Sequence, residues 1–227
     1  MTRTFEIVRD LVANMDLTTR VTVNGNRLET CNTLHVRNRS IITDIEGKEF
    51  KVTDFKFNSY VEISPITSGD AWVGDVMTAP KPTFIQGKWM SANNEYLQMS
   101  NRTADKTPLI WLVRGYREEH GGEMDSVKLA VEPLIYFLDQ ADFARWTNDD
   151  HDSEAINPMY NLARLFVKTV KQEPKIRPLE RHIIEDEPRF GVKITSDKGN
   201  SKRIISDDLS GVGLRIPLKV TKECINC

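Results

Sequence analysis

Cysteine is scarce in this 227-residue chain: Cys31, Cys224 and Cys227 are its full complement. Three thiols exclude a complete disulfide framework and leave room for one bridge at most. Cys224 and Cys227 have the C-x-x-C spacing that serves half a zinc site or a redox pair. No second pair accompanies them and no helical pattern follows, so free thiols are the expectation. An excess of charge of one sign is also missing. Thirty-one Lys and Arg against thirty-three Asp and Glu leave a formal charge of −2, so no global field draws the chain to nucleic acid or to an acidic membrane. Long apolar runs are absent: nothing approaches the roughly 18 residues that a spanning helix needs. At the start, Arg3, Glu6, Arg9 and Asp10 interrupt any signal-peptide core. The expected setting is intracellular or within a virion, with no membrane partner.

Chemistry-bearing spacings are equally sparse. No G-x-S-x-G, G-x-x-x-x-G-K-[ST] or G-x-G-x-x-G occurs, which removes the usual nucleophile elbow and phosphate loops. The histidines, His35, His120, His151 and His182, stand apart from one another, and none makes a two-ligand pair on one helical face. NDDHD at 148–152 gathers metal-type ligands but lacks the glycine and terminal Glu of a calcium loop. Its place before a helical pattern explains the acids better, since carboxylates favour the positive end of a helix dipole. SDKGNSKR at 196–203 lacks a phosphate loop's glycine spacing and reads as a polar hairpin or loop tip. We therefore expect no enzyme, no metal and no cofactor.

What is present organises the chain into parts. Phe5, Val8, Leu11, Val12 and Met15 recur at helical spacing, predicting a short amphipathic helix. Residues 20–65 then change period. Val21 and Val23 alternate before Asn24-Gly25, a hairpin signal, and TLHV at 33–36, SIITDI at 40–45, EFKVTDF at 49–55 and SYVEI at 59–63 are bounded by polar turns. This spacing predicts a small curled sheet or barrel. From 108 onward an α/β unit follows. PLIWLVRGY reads as a strand buried on both faces and VKLAVEPLIYFLD as another, bent or bulged at Pro133. A helix is predicted from Ser153, with Pro158 in its first turn and Ile156, Met159, Leu162, Ala163, Phe166, Val167 and Val170 forming one apolar stripe. The closing strand VGLRIPLKV alternates cleanly, and its Pro217 and Lys219 suggest an edge, or a strand protected from further pairing. The fold class is thus α+β, with 1–19 and 108–227 as the sheet-and-helix unit and 20–65 as the inserted β-rich part.

Residues 66–107 show no sustained period, and Gly69, Gly74, Pro80, Pro82 and Gly87 punctuate them. Trp72, Phe84, Trp89 and Tyr96 argue against disorder, because disordered segments are poor in aromatics. The segment is therefore expected to be a long extended arm packed on a neighbouring subunit. The charged end of LIWLVRGYREEHGG, with Arg114, Arg117, Glu118 and Glu119, reads as a solvated turn or a subunit contact. The basic residues Lys168, Lys171, Lys175, Arg177 and Arg181 read as a solvated helix end or, more sharply, as the lining of a channel through which DNA passes.

TPLIWLVRGYREE, followed by LAVEPLIYFLDQADFARWTNDDHDSEAINPMYNLARLFVKTV and a closing alternating strand, resembles the neck and tail-completion proteins of tailed bacteriophages, including those of Bacteroidetes and crAss-like phages. The shared pattern is a buried strand ending in a charged turn, a second strand, and a Thr-Asn-Asp to Pro-Met loop before the long helix. Here that loop carries Thr147, Asn148, Asp149, Pro158 and Met159. The resemblance covers the first helix and about the last 120 residues. It implies the sheet-and-helix fold of tail terminators. It also implies a homo-oligomeric ring of six or twelve copies around the DNA channel, in contact with portal, neck or tail rings, in a virion assembled in the host cytoplasm. The 20–65 segment and the 66–107 arm depart from the simple version of that fold. The other function weighed is a small β-barrel that binds nucleic acid, carbohydrate or another ligand on an open face.

Overall fold

The computed structural model describes residues 3–99, 106–116, 118–119, 127–177, 181–194, 201–203 and 207–221. The architecture is α+β, built on two main sheets. Helix α1 (Thr4–Ala13) forms where the sequence places it and buries Val8, Leu11 and Val12.

Seven short strands come next: β1 (Thr18–Arg20), β2 (Thr22–Asn24), β3 (Arg27–Glu29), β4 (Ile41–Thr43), β5 (Glu49–Lys56), β6 (Tyr60–Pro65) and β7 (Val76–Thr78). They form one sheet in the order β1-β7-β4-β5-β6-β3-β2. Its two edge strands, β1 and β2, are joined through Val21 alone, so the sheet curls back on itself. The β2–β3 hairpin pairs Asn24 with Arg27 across a two-residue turn, and Gly25 there takes φ +62° at no steric cost. Leu28, Ile42, Phe50, Val52, Val61 and Met77 fill the interior, with Trp72 laid on Phe50 at a centroid distance of 5.0 Å. TLHV at 33–36 does not form the expected strand. It is a turn with Leu34 at φ 54°; Leu34 and Val36 pack into the curled sheet's interior, while His35 turns outward to the Pro80 carbonyl, as described below.

The second sheet runs β12-β15-β11-β9-β8. It takes β8 (Thr83–Gly87), β9 (Leu109–Val113), β11 (Leu134–Gln140), β12 (Ile183–Phe190) and β15 (Leu209–Arg215), and helix α2 (Trp89–Met99) connects β8 to the region before β9. Alternate residues of the strands feed two different cores. Ile110, Leu112, Ile135, Phe137, Val212 and Leu214 face α1 and the long helix. Leu109, Trp111, Tyr136, Leu138 and Leu209 face α2, through Ala92 and Tyr96. Helices on both faces explain why LIWLV is apolar at every position. Tight backbone approach also shapes this sheet: a Cβ on Gly211 would lie 2.0 Å from the Phe137 carbonyl oxygen.

Residues 66–107 are not an extended arm. They contribute β7 to the curled sheet, β8 as a parallel partner of β9, and α2 as a cover for one sheet face. The apolar period was hidden because each strand's partner lies far away in sequence. VKLAVEPLIYFLD bends at Glu132-Pro133 into two strands of different sheets, β10 (Val127–Val131) and β11. β16 (Leu218–Thr221) pairs with β10. VGLRIPLKV breaks likewise at Ile216-Pro217. β15 is central, between β12 and β11, whereas β16, which carries the Lys219 of the expected edge, belongs to a sheet of only two strands. The β13 (Val192–Ile194) and β14 (Ser201–Arg203) pair forms a small ribbon.

The long helix starts earlier than expected. Thr147 caps α3 (Asn148–His151), a π turn spans Asp152–Ile156, and α4 (Asn157–Gln172) continues the rod. Asp150 completes a capping box by accepting from Thr147 N at 2.8 Å. The acids of NDDHD are thus part of a helix start, with Asp150 held below the ordinary carboxylate range chiefly by that backbone hydrogen bond. α4 buries the stripe named from the sequence, Met159, Leu162, Ala163, Phe166, Val167 and Val170.

Candidate functional site

The curled sheet meets the sheet-and-helix unit along a seam, and TLHVRNRS at 33–40 supplies most of the contacts. His35 is buried, and its Nε2 lies 2.8 Å from the Pro80 carbonyl, to which it donates. Burial drives its pKa down to about 4, with the Pro80 contact partly opposing. Asn161 of α4 donates to the Leu34 carbonyl at 2.8 Å. Arg37 reaches Asp139 of β11 with Nε 2.6 Å from Oδ2. The approach is off-axis, so Oδ2 has no aligned hydrogen bond. Thr107 completes the group by accepting from Arg37 Nη2 at 3.1 Å. Asp139 is fully buried. Desolvation raises its pKa, and Arg37, Gln140 N and Thr107 pull it back down. Arg37 also lines an open cleft.

That cleft, about 700 Å³ in volume, is lined by Arg37–Ile41 of the seam, Pro80–Lys81 before β8, Thr107–Pro108 before β9, Gln140–Asp142 after β11, and Arg145, Trp146, Asp150 and Glu154. Its size falls among ligand sites, which run from about 300 to 1,000 Å³. The balance of its charges is set by what each group is already doing. Asp142 accepts from the backbone N–H of Ala144 and Arg145 at 3.1 Å each, and Asp150 is held in the capping box. Glu154 is half-buried, and desolvation raises its pKa. Arg39 and Lys81 are exposed and have no ion-pair partner among the described residues. Arg145, 87% exposed, stands 3.7 Å from Asp142. The cleft therefore carries both signs, with Arg39 and Lys81 the lining cations that no carboxylate among the described residues pairs. No single short motif encodes this site, because five separate segments build it.

Two other clusters carry reactive side-chain types. His151 Nδ1 lies 2.9 Å from Ser210 Oγ, a base and a hydroxyl in hydrogen-bond reach. Both are buried, at 2% and 0% exposure, and Ser210 Oγ also accepts from Arg189 N. A substrate has no approach to that hydroxyl, so the pair acts as core polar packing. Lys106, Asp207 and Tyr96 form the second cluster: Asp207 Oδ2 accepts from Lys106 Nζ at 3.1 Å and from the Tyr96 hydroxyl at 2.9 Å. It fastens α2 to the end of the sheet. Among the described residues no group of three or more His, Cys, Asp or Glu is placed to hold a metal ion. No helix among them is long and apolar enough to cross a membrane.

The residues singled out from sequence fall in different places. Tyr96 is 0% exposed inside its own chain's core, which withdraws it from any subunit interface. Trp72 and Phe84 are half-buried, on Phe50 and on the main core respectively, so their apolar surface is mostly spent within the chain as well. Arg114 is exposed, donates to Gln86 Oε1 at 3.1 Å and lies 5.5 Å from the Phe5 ring. Glu118 accepts from Thr4 N at 3.1 Å and from the Thr4 hydroxyl. Glu119 is exposed and bridges Ala130 through its backbone. Arg117, His120, the Trp89 side chain, residues 195–200, Cys224 and Cys227 lie outside the described residues.

Lys168 and Lys171 are exposed near the end of α4, and Lys175, Arg177 and Arg181 are exposed beyond it. At about 1.5 Å per residue, the 148–172 rod puts this run roughly 35 Å from the cleft end of the helix. The two basic surfaces are thus separate. No family model matches the chain, and neither a curated protein nor a solved structure matches it.

Proposed function

We propose that the chain is a non-catalytic ring subunit of the neck or tail of a tailed bacteriophage, joining portal to tail around the DNA channel. One observation supports the reading above others. The elements that carry the resemblance, namely α1, β9, β11, the capped rod ending in α4, and β15, pack into a single core although the curled sheet intervenes in sequence. In this reading the curled sheet and α2 are additions to a ring-forming unit. Arg114, Arg117, Glu118 and Glu119 sit in a lateral contact, and Lys168, Lys171, Lys175, Arg177 and Arg181 face the DNA. Cations there make weak, salt-dependent phosphate contacts that read no base.

Native mass spectrometry and electron microscopy of the purified full chain test this. Rings of six or twelve copies, alone or on isolated portal or tail complexes, are expected. A monodisperse monomer that joins neither would overturn the proposal. The cleft at the seam favours one other reading, a ligand- or nucleic-acid-binding module, which predicts tight binding by the monomer.

A further inference from the structure

We propose that the five-stranded sheet continues from copy to copy, the free edge of β8 pairing antiparallel with the β12 edge of the next copy. The inference rests on the ring reading and adds the two surfaces that meet. In the order β12-β15-β11-β9-β8 the outer strands are β12 and β8, each with a neighbour on one side only among the described residues. Hydrogen bonding alternates along a strand, so its direction can be followed across the sheet. Thr83 N donates to the Pro108 carbonyl and Arg114 N to that of Gly87, which turns the even-numbered residues of β9 toward β8 and the odd-numbered ones toward β11. Carried through the pairs Trp111 with Tyr136, Phe137 with Val212 and Gly213 with Glu185, the alternation leaves Phe84 and Gln86 facing outward on β8, and Ile184 and Asp186 outward on β12. Their backbone N–H groups find no acceptor among the described residues. The Ile184 carbonyl takes only the Tyr160 hydroxyl, at 3.5 Å.

Faces, direction and length agree. Phe84 and Ile184 both pack on the core beneath α1 and α4, so a copy displaced sideways keeps that layer on the same side of the sheet. β12 runs opposite to β8, because three antiparallel pairings and one parallel pairing separate them. Phe84 then stands opposite the next copy's Asp186, and Gln86 opposite its Ile184. Thr83–Gly87 is five residues long, and the regular ladder of β12 spans Ile183–Glu187 before a bulge ends it. Natural edges are blunted by charge, proline or a bulge; β8 has none of these within its span. Charge selects this pairing over the two symmetric ones. β12 against β12 would set Glu185 opposite Glu185, and β8 against β8 would place Lys81 and Lys88 of the two copies at adjoining positions; like charges across a strand pair are unfavourable. In the mixed pair the exposed Lys81 stands diagonal to the next copy's Glu187, within reach of a long side chain. Glu187 is half-buried, and burial and Glu185 push its pKa up against Arg215, so a facing cation relieves it. Arg114 donates to Gln86 Oε1 at 3.1 Å, which brings the charged turn after β9 to the same edge. Two different edges make the contact heterologous, the kind that closes into a ring when the rotation per copy divides the circle.

The test uses the full chain with Cys31→Ser, Cys224→Ser and Cys227→Ser as background. Thr83→Cys with Glu187→Cys sets two thiols at directly opposed, non-hydrogen-bonded positions, where Cα atoms lie about 4.5 Å apart, inside the roughly 4.4–6.8 Å that a disulfide spans. Thr83→Cys with Ile183→Cys is the out-of-register control. In the wild-type background, Asp186→Pro removes an outward N–H that its own sheet does not use. Oxidised samples are read on a denaturing gel and self-association by analytical ultracentrifugation, with circular dichroism on the same samples. The first pair should give a ladder of linked copies, the control pair and each single cysteine variant only monomers, and Asp186→Pro at least roughly tenfold weaker association. A wild-type chain that stays monomeric would remove both this contact and the ring reading. Wild-type assembly in which the first pair gives no ladder, or the control pair gives one instead, would remove this contact alone. So would undiminished association of a folded Asp186→Pro chain; if that variant unfolds, the ladder decides.

Discussion

Replacing Arg37 by Met should be the most damaging single change at the seam, and its size follows from what is left behind. Asp139 has 1% of its side-chain surface exposed, and Arg37 has 17%. Removing the guanidinium strands a buried carboxylate whose pKa burial already raises. Breaking a buried pair from one side costs about 3–5 kcal/mol. For a chain of this size each kcal/mol moves Tm by roughly 2–4 °C, so a fall of roughly 6–20 °C is expected by calorimetry at neutral pH. The sign with pH is fixed. A carboxyl raised in the folded state adds stability at low pH and loses it as pH climbs through its folded value. Without Arg37, which opposes the rise, the shift grows, so the deficit should shrink on acidification. Adding Asp139→Asn should restore about 2 kcal/mol, because the uncompensated charge is gone. An Arg37→Met protein within 1 kcal/mol of wild type, with a pH-independent difference, would refute this account of the seam.

Three further outcomes are expected. His35 carries a folded pKa of about 4 against an ordinary 6.5; a depressed imidazole favours folding above its unfolded value, so between pH 6.5 and 4 about 3 kcal/mol should be lost. Chemical denaturation across that window should show the loss in wild type and its absence in His35→Gln. Gly211→Ala should cost at least about 3 kcal/mol or abolish folding, since its Cβ would meet the Phe137 carbonyl oxygen at 2.0 Å; a normal melting curve would contradict it. Thr147→Ala should cost about 1 kcal/mol by removing the cap on the long rod, measured as a small Tm shift, with the Asp150 pKa rising only in part by NMR titration, because the Thr147 N–H that chiefly lowers it remains.

Elements whose partners lie nearby, or whose period is complete, were legible in the sequence. α1, the α4 stripe, the doubly buried β9 and the Asn24-Gly25 hairpin all carry their own signal within about a dozen residues. The 66–107 segment did not, because β8 pairs with a strand beyond α2 and β7 returns to strands more than thirty residues earlier. A trace was present: Trp89, Ala92 and Tyr96 hold helical spacing, and Ala92 and Tyr96 are fully buried. The glycines and prolines ahead of them obscured it. The cleft was invisible for a different reason. Arg39, Lys81 and Arg145 look like ordinary solvated charges until the fold sets them around one opening. His35 is expected within a short strand and Arg37 is not singled out by the sequence, and only the seam buries the one and half-buries the other.

The two chain crossings into the curled sheet are tied together: Ala79 N donates to the Leu17 carbonyl at 2.8 Å, and Thr18 pairs with Thr78. To the rest of the molecule the intervening segment, about sixty residues long, is a loop. Joining the ends of a flexible loop that long costs roughly 3–4 kcal/mol of chain entropy, as (3/2)RT ln n. A segment that folds by itself and brings its own ends together removes that cost before α1 reaches the main sheet. The stability of α1's docking is thereby linked to that of a sheet it does not touch through β-pairing, and weakening the curled sheet's interior should loosen α1.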